Sequence, residues 1–506
     1  MKKLMGVLCL LVAFAASGLF VPAPASAAGV KDTIIFAYET EPANLSTVEN
    51  NAIAAYYPCF MIYSGLFKNT TDGIEKDLCT DYHIEKNAQG LETIWVFKIR
   101  EGVKFSDGSD LTAKDVVATL KYAQTRPTVK SLTNWYTDVE AVDDYTVKIM
   151  TAKVFSTAPE ALSNKACYIL PSELIASGHD FNNKPVGSGP FKLSKWAKGD
   201  SITFVSNENY YHKDKMPKIK EVVWKIIAEG TSRSIALETG EVDFVINVDA
   251  LDIPRLQENE DVVVSVTDGS MFTYLALNNA KGPFKDENLR KAISCAVNRE
   301  SIIAVALENF GAPIYSSIPI IMDGWTMENA TTFDLDKARE YLKTWGGDPS
   351  SLKFAIIVST DVRRRAAEVI QSNLLEIGIN CTIEQVDSAT LTQVYNSGDF
   401  MSYISAYTSN DLLTWLNGVF RNTGTSSSQF RQAGLDMNGM IDSIAQTTDP
   451  TARKALVTEV NKTINAQQPF VPIYQSKVLI AYNANLEGVE IDPMGMFRLE
   501  NFYWRK

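Results

Sequence analysis

Histidine occurs only three times in this chain of 506 residues, as His83, His179 and His212, each in polar, loop-like sequence. No Gly-x-Ser-x-Gly elbow accompanies them. A Ser–His or Cys–His hydrolase therefore has neither its base nor its nucleophile motif. The 60 acidic residues supply carboxylate pairs somewhere in any fold, but no local pattern singles out one as the acid and base of glycoside hydrolysis. Cysteine is sparse as well: Cys9, Cys59, Cys79, Cys167, Cys295 and Cys381, with no Cys-x-x-Cys and no Cys/His cluster, so structural zinc has no ligand set. Excess positive charge is missing too. The formal net charge is −12, which argues against nucleic acid or an anionic membrane as partner. After Val21 no run is long and apolar enough to span a bilayer. Internal repeats and low-complexity linkers are also lacking.

What is present begins with an export signal. "MKK" precedes an uncharged run from Leu4 to Val21, then "PAPASAA" with a small-x-small site at Ala25-Ser26-Ala27. A cleaved signal peptide over residues 1–28 is expected; the alternative is an uncleaved anchor, which Pro22, Pro24 and the Ala-Ser-Ala site disfavour. Cys9 lies too early and follows Leu8, so no lipid anchor is expected. An untethered exported protein stays with its cell only behind an outer membrane, and the expected location is a periplasm. Loss of the leader, with two Lys and no acid, changes the net charge from −12 to −14. Five cysteines then remain. An odd number leaves at least one thiol free, two disulfides are the ceiling, and single buried thiols are expected for most of them.

Content of 45% hydrophobic and 21% charged residues is globular, and 506 residues are too many for one ordinary core. Strands and helices alternate. "TIIFAY" (Thr33–Tyr38) is a strand, "TIWVFKIREGVKFSDGS" holds two short alternating runs, and "DLTAKDVVATLKYA" is a helix with Thr112 and Asp115 at capping-box spacing. "VVSVTDGSMFTYLALNNA" (Val263–Ala280) reads as a strand pair, and "DENLRKAISCAVNRESIIAVAL" as one long amphipathic helix. "KFAIIVST", "RRRAAEVIQSNLLEIG" and "INCTIEQVD" form a strand–helix–strand unit of parallel-sheet type. A middle segment with its own α/β pattern, flanked by stretches able to share another sheet, predicts two lobes. The expected crossings lie near Thr273–Asn278 and Ile473–Leu479.

The stretch "IREGVKFSDGSDLTAKDVVATLKYA" (Ile99–Ala123) resembles the signature of family 5 extracellular solute-binding proteins, the peptide- and nickel-binding group that serves ABC importers. "PVGSGPFKLSKW" looks like that family's Gly-Thr-Gly-Pro-Tyr motif, with Ser188 and Phe191 as mild changes. "NENYYHKDKMPKIKEVVWKII", "RSIALETGEVDFV", "YLALNNAKGPFKDENLRKAISCAVNRESII" and "AAEVIQSNLLEIGI" agree with it in order. The resemblance spans roughly residue 33 to the C-terminus. It implies an α/β, bilobal, type II periplasmic-binding-protein-like fold with two mixed-sheet lobes around a ligand cleft. Lobe 1 is expected over 29–272 plus 479–506, with an extra subdomain at about 60–185, and lobe 2 over 273–478. In that setting Asp107-Gly108 suits a scaffold turn, and Arg100, Lys104, Asp110 and Asp115 read as exposed or paired surface charges. Gly187-Ser188-Gly189 reads as a structural turn, since it lacks the remainder of a phosphate loop and Pro190 removes an N–H.

Ligand residues follow from the same resemblance. In peptide-binding relatives the stretch matching "YISAYTSNDLLTWLNGVF" (Tyr403–Phe420) carries an aspartate that pairs with the ligand's α-ammonium. Aligned on Trp415-Leu416-Asn417, Thr408 takes that place, with Asp411 three positions later. Threonine hydrogen-bonds an ammonium without neutralising it. Either Asp411 substitutes for it, or Asp411 only caps the following helix and the ligand is no ordinary free-amine peptide. Tyr403, Tyr407 and Trp415 are candidate pocket aromatics, some of which must pack inward. Glu39, Thr40 and Glu41 end the first strand, where open α/β sheets bind ligands. Met271 and Phe272 are candidates for the cleft floor. No histidine lies in these stretches, so nickel is a poor fit.

The expected function is a non-enzymatic, monomeric solute-binding component of an ABC transporter. It takes a peptide or peptide-like small molecule by hinge closure, hands it to the permease and needs no cofactor or metal. The alternatives are a sensory or chaperone-like binder using the same cleft, and a binder of a sugar or metal chelate.

Overall fold

In the computed structural model, two strands far apart in sequence organise everything else: Val262–Leu277, of 16 residues, and Phe470–Asn483, of 14. The structure describes residues 31–505 except 51, 71, 72, 410 and 422–436, so the expected leader lies outside the described residues. The two long strands run antiparallel in the middle of an 11-stranded sheet. On one side lie Phe244–Ile246, Thr33–Tyr38, Glu221–Ile226, Ser201–Ser206 and Phe191–Ala197; on the other lie Ser402–Thr408, Ala355–Val358 and Thr382–Gln385. The expected strand–helix–strand unit is present: Ala355–Val358 pairs parallel with Thr382–Gln385, and helix Asp361–Leu375 connects them.

The long strands do not pair evenly. Asp268 faces Lys477 and Phe272 faces Gln475, so Gly269, Ser270 and Met271 stand opposite Ser476 alone. This is a bulge, which locally bends and twists a strand. A Cβ on Gly269 would lie 2.5 Å from the Ser476 carbonyl oxygen, so only glycine fits. Gln475 Nε2 donates to the Gly269 carbonyl, and the Ser270 N–H donates to Pro493 O at 2.6 Å. The Asp-Gly-Ser signal that reads as a hairpin turn is thus a bulge inside one continuous strand. Tertiary pairing with a distant segment overrides the local turn signal.

Apolar packing is divided on either side of the bulge. Phe36, Phe191, Phe204, Trp224, Phe244 and Phe502 centre one core; Leu289, Ile293, Ile356, Ile370 and Val471 centre another. The architecture is two-lobed, and Asp32–Arg505 nonetheless cluster as one compact unit. A separate antiparallel sheet of four strands, ordered Cys79–Lys86, Glu92–Ile99, Thr146–Met150 and Asp138–Asp143, carries its own core against helix Ala113–Thr125.

Within that subdomain Gly108 adopts φ 92°, and the Asp107 carboxylate accepts from Ser109 N at 3.0 Å, giving the expected tight turn. Lys104 and Asp110 pair at 2.6 Å on the surface. Asp115 differs from a surface charge. It is buried, and its carboxylate accepts from Thr112 N and Ser172 N, both at 2.8 Å, closing the capping box and tying the helix to the first residue of the short helix Ser172–Ala176. His212 is likewise no free surface residue: it stands 3.5 Å from the buried Asp77, whose carboxylate also takes the Tyr211 hydroxyl. The expected long helix is two, Glu287–Ala296 and Arg299–Leu307. Asn298 caps the second, and the Arg299 guanidinium donates to Val297 O, Ser294 O, Ile314 O and Pro472 O. Those buried bonds hold Val297 extended, which breaks the run.

All five cysteines after the leader are buried and unpaired. Burial pushes their thiols up, Cys59, Cys295 and Cys381 to about 11 and Cys79 and Cys167 to about 12. Thiolate is the reactive form. A disulfide-exchange reagent at pH 8 is therefore expected to label none of the five in the folded chain and all five after denaturation. Rapid labelling of any one of them in the native state contradicts this burial. Gly269→Ala is expected to lower stability by about 1–3 kcal/mol, as overpacking does, read from a urea midpoint; an unchanged midpoint contradicts the bulge geometry.

Candidate functional site

Three elements converge where the subdomain meets the far lobe. The first is the chain from Lys153 to Leu162, ending in the short helix Ala158–Leu162, which has Pro in its first turn. The second is helix Leu412–Val419, capped by Asp411, whose carboxylate accepts from Thr414 N at 2.6 Å. The third is the helix pair Met437–Gln446 and Pro450–Gln467.

Contacts across this junction are direct. Ser156 N donates to Ala445 O at 2.9 Å, Arg453 donates to Ser156 Oγ at 3.2 Å, and Lys153 pairs with Asp442 at 3.0 Å. Lys153 is largely exposed, and such a pair contributes at most about 1 kcal/mol. Phe155 matters more. It packs against the apolar clusters of both the subdomain and the far lobe, stacks on Trp135 at 4.8 Å, and its carbonyl accepts from Trp95 Nε1. Burial of such a ring is worth about 2 kcal/mol.

Inside the junction, polar groups face one another from the two lobes. Burial raises the Glu160 carboxyl above its ordinary range, working against a backbone hydrogen bond that lowers it; the negative charge of Asp411 adds a smaller rise and Arg453 works downward. The Tyr407 hydroxyl is pushed up to about 12 by burial, then by Asp411 and by Tyr56. Tyr56 is itself held at about 12, chiefly by burial. The Lys165 ammonium sits 5.1 Å over the Tyr56 ring and donates to Thr47 O at 3.0 Å and to the Asn50 carbonyl, while its burial lowers its basicity. Gly418 makes room for Tyr407: a methyl there would overlap the phenol.

The sequence candidates scatter over this geometry. Tyr407 and Asp411 belong to the junction. Asp411 is also the helix cap, so both readings of it describe one side chain. Thr408 is half-buried and pairs across the strand with Met271, which is 43% exposed beside the bulge. Phe272, Tyr403 and Trp415 have no accessible surface; Phe272 lies 4.7 Å from Trp415, and Tyr407, its partner across the strands, meets the same indole edge-on at 5.5 Å. These three are core, since a surrounded ring has no face left for a guest. Glu41 is committed to Trp196 Nε1 at 2.6 Å and Gly199 N at 3.1 Å. Glu39 accepts from Arg233 at 3.2 Å and Asn247 at 3.3 Å, and Thr40 is exposed. Sequence reasoning missed Tyr56, Glu160, Lys165 and Arg453. Each sits in an unremarkable stretch, and only folding sets Glu160 beside Arg453 and Asp411, Tyr56 within reach of Tyr407, and Lys165 over the Tyr56 ring. Among the described residues no group of three His, Cys, Asp or Glu is placed to hold a metal ion.

Comparison with known proteins gives consistent relatives. A family described as "Bacterial extracellular solute-binding proteins, family 5 Middle" matches residues 74–427. The glutathione-binding protein GsiB of Escherichia coli K12 is 25% identical over 96% of this chain and 97% of its own length; that of Salmonella paratyphi A is 27% identical over 85% and 86%. Among solved structures, the substrate-binding protein CtaP of Listeria monocytogenes superposes with TM-score 0.84 at 22% identity, covering 94% of this chain and 100% of its own. The binding protein DppA of Helicobacter pylori, in complex with peptide STSA, superposes with TM-score 0.79 at 22% identity, covering 94% and 99%.

A carboxyl whose folded pKa is raised binds its proton more tightly folded than unfolded. Its contribution to stability is therefore lost as pH rises from the ordinary carboxylate range through the raised value. Glu160→Gln is expected to raise the melting temperature at pH 7 and to flatten that decline in a melting series from pH 4 to 8. A variant that melts lower at pH 7, with the slope intact, would show that Glu160 is not held under strain.

Proposed function

The chain belongs to the family 5 bacterial extracellular solute-binding proteins, and from that premise we propose that it captures a peptide or peptide-like solute bearing a cationic amine. What supports this reading is the junction where Ser156 bonds to Ala445 and Arg453, with Glu160 four residues on and within reach of the negative charge of Asp411. Two carboxylates brought together on closure repel each other, and that repulsion disfavours the closed arrangement while the site lacks a cation. An ammonium between them reverses the sign. A ligand shifts a conformational equilibrium only by its differential interaction with the two states, and this pair interacts differently with an amine in the open and closed forms. Tyr56 and Tyr407 add hydroxyl donors and ring faces from both sides, as peptide-sized ligands require.

The lobes are proposed to comprise 29–272 with 479–506, and 273–478. They pivot where Gly269–Met271 bulge opposite Ser476, and the closed complex is what an ABC permease receives. The relatives named above are called binding proteins, not enzymes. The chain is proposed to be exported to a periplasm after cleavage at Ala25-Ser26-Ala27, without a lipid anchor, and to act as a monomer. Among the described residues no helix is long and apolar enough to cross a membrane.

Calorimetry with di- and tripeptides, glutathione among them because the GsiB relatives carry its name, tests the reading against the same compounds N-acetylated. At least one free-amine compound is expected to bind, with tenfold or greater loss on acetylation and a similar loss in Asp411→Asn. Small-angle scattering is expected to report a smaller radius of gyration at saturation. Equal affinity for free and acetylated forms removes the ammonium from the reading. Binding of sugars or metal chelates, with no peptide bound, replaces the substrate class.

A further inference from the structure

A second cavity, of about 390 Å³, lies against the bulge and shares no residue with the junction described above. Its walls come from both lobes: Val248 and Leu251 from one, Leu307, Phe310 and Val362 from the other, with Leu479 of the crossing strand between them. The volume falls in the range of small-molecule pockets, and the walls are mainly aliphatic. Leu251 is 72% exposed, an unusual position for a leucine in a turn whose neighbour, Ile253, is buried.

Four charged residues also line the cavity, and they are not equivalent. Lys477 is paired with Asp268. The Asp249 carboxylate accepts from Leu251 N at 3.0 Å, capping its own turn. Glu308 is solvent-exposed at the left-handed end of helix Arg299–Leu307. Arg365 remains. One Nη donates to Ala306 O at 3.1 Å, its buried Nε has no partner, and among the described residues it has no carboxylate partner. A buried guanidinium N–H without an acceptor is destabilising, and an anion delivered into the cavity would relieve that.

We propose that this cavity is a binding site for a small aliphatic carboxylate, its carboxylate on Arg365 and its chain against Val248, Leu307, Phe310, Val362 and Leu479. Bidentate recognition by the guanidinium selects a carboxylate, and the leucine and valine walls select an unbranched or singly branched chain over a sugar or a charged peptide.

Octanoate is the probe, titrated calorimetrically into the full folded chain, with octylammonium as the charge-reversed control. Saturable one-to-one binding of octanoate is expected, with no binding of octylammonium. Arg365→Gln should weaken octanoate at least tenfold, Leu307→Trp should abolish binding by filling the cavity, and Asp411→Asn should leave it unchanged. Melting curves establish that each variant is folded. If Leu307→Trp fails to fold, Val362→Phe serves the same purpose. Absence of saturation at millimolar octanoate, equal binding of octylammonium, wild-type affinity in both Arg365→Gln and the filled variant, or loss of binding in Asp411→Asn each overturns the proposal.

Discussion

Pairing between Val262–Leu277 and Phe470–Asn483 is the constraint on which the rest of this structure depends. Main-chain hydrogen bonds along it join two lobes that otherwise keep separate cores, and the register shifts twice, at Asp268/Phe272 and again at Thr273/Tyr274, the first shift being the larger. At the first shift three residues face one, and Gly269 is needed because no Cβ fits against the Ser476 carbonyl. A regular ladder through this position would be stiffer. A bulge concentrates bending at a defined place. The lobes can then move as units, because each keeps its own packed interior.

The junction between the lobes is built on the opposite logic. Where the sheet is held by many equivalent backbone bonds, the junction relies on a few side chains of different character. Phe155 gives apolar contact with both sides, Ser156 and Ala445 give one backbone bond, and Glu160 and Asp411 give repulsion. Apolar contact and one backbone hydrogen bond thus stand beside the mutual repulsion of two carboxylates, so no single kind of interaction holds the junction. A junction sealed entirely by apolar packing would remain shut; one lined only by carboxylates would not close without its guest.

The subdomain explains why the family's most recognisable stretch holds so little chemistry. Asp107-Gly108 turns the chain, and Asp115 satisfies the starts of two helices, Ala113–Thr125 and Ser172–Ala176. Together they fix helix Ala113–Thr125 against the four-stranded sheet. That sheet in turn carries Trp95, whose indole holds the Phe155 carbonyl at the junction. The motif acts on the site at a distance, by positioning the segment that reaches the other lobe.

Local patterns settled a good part of this architecture. An alternating run marks the subdomain strand Glu92–Ile99, and short apolar runs mark Thr33–Tyr38 and Ala355–Val358. The capping box at Thr112 and Asp115 marks one helix start, a cap is one of the two sequence readings of Asp411, and the ordered family motifs mark a two-lobed binding fold. These are legible because each depends on residues within a few positions of one another. The bulge at Gly269, the break at Val297, the burial of Asp115, the pairing of His212 with Asp77, and the inward packing of Phe272, Tyr403 and Trp415 were decided by the tertiary structure alone. In each case the deciding partner lies far away in sequence: Ser476 for the glycine, Pro472 and Ile314 for the arginine beside Val297, Ser172 for the aspartate. The meeting of Glu160 with Asp411 belongs to the same class, because 251 positions separate them in sequence and only the long-strand pairing carries one lobe to the other. Short-range order is written in composition and spacing. Long-range contact depends on the closure of loops hundreds of residues long, and no local pattern encodes where their ends meet.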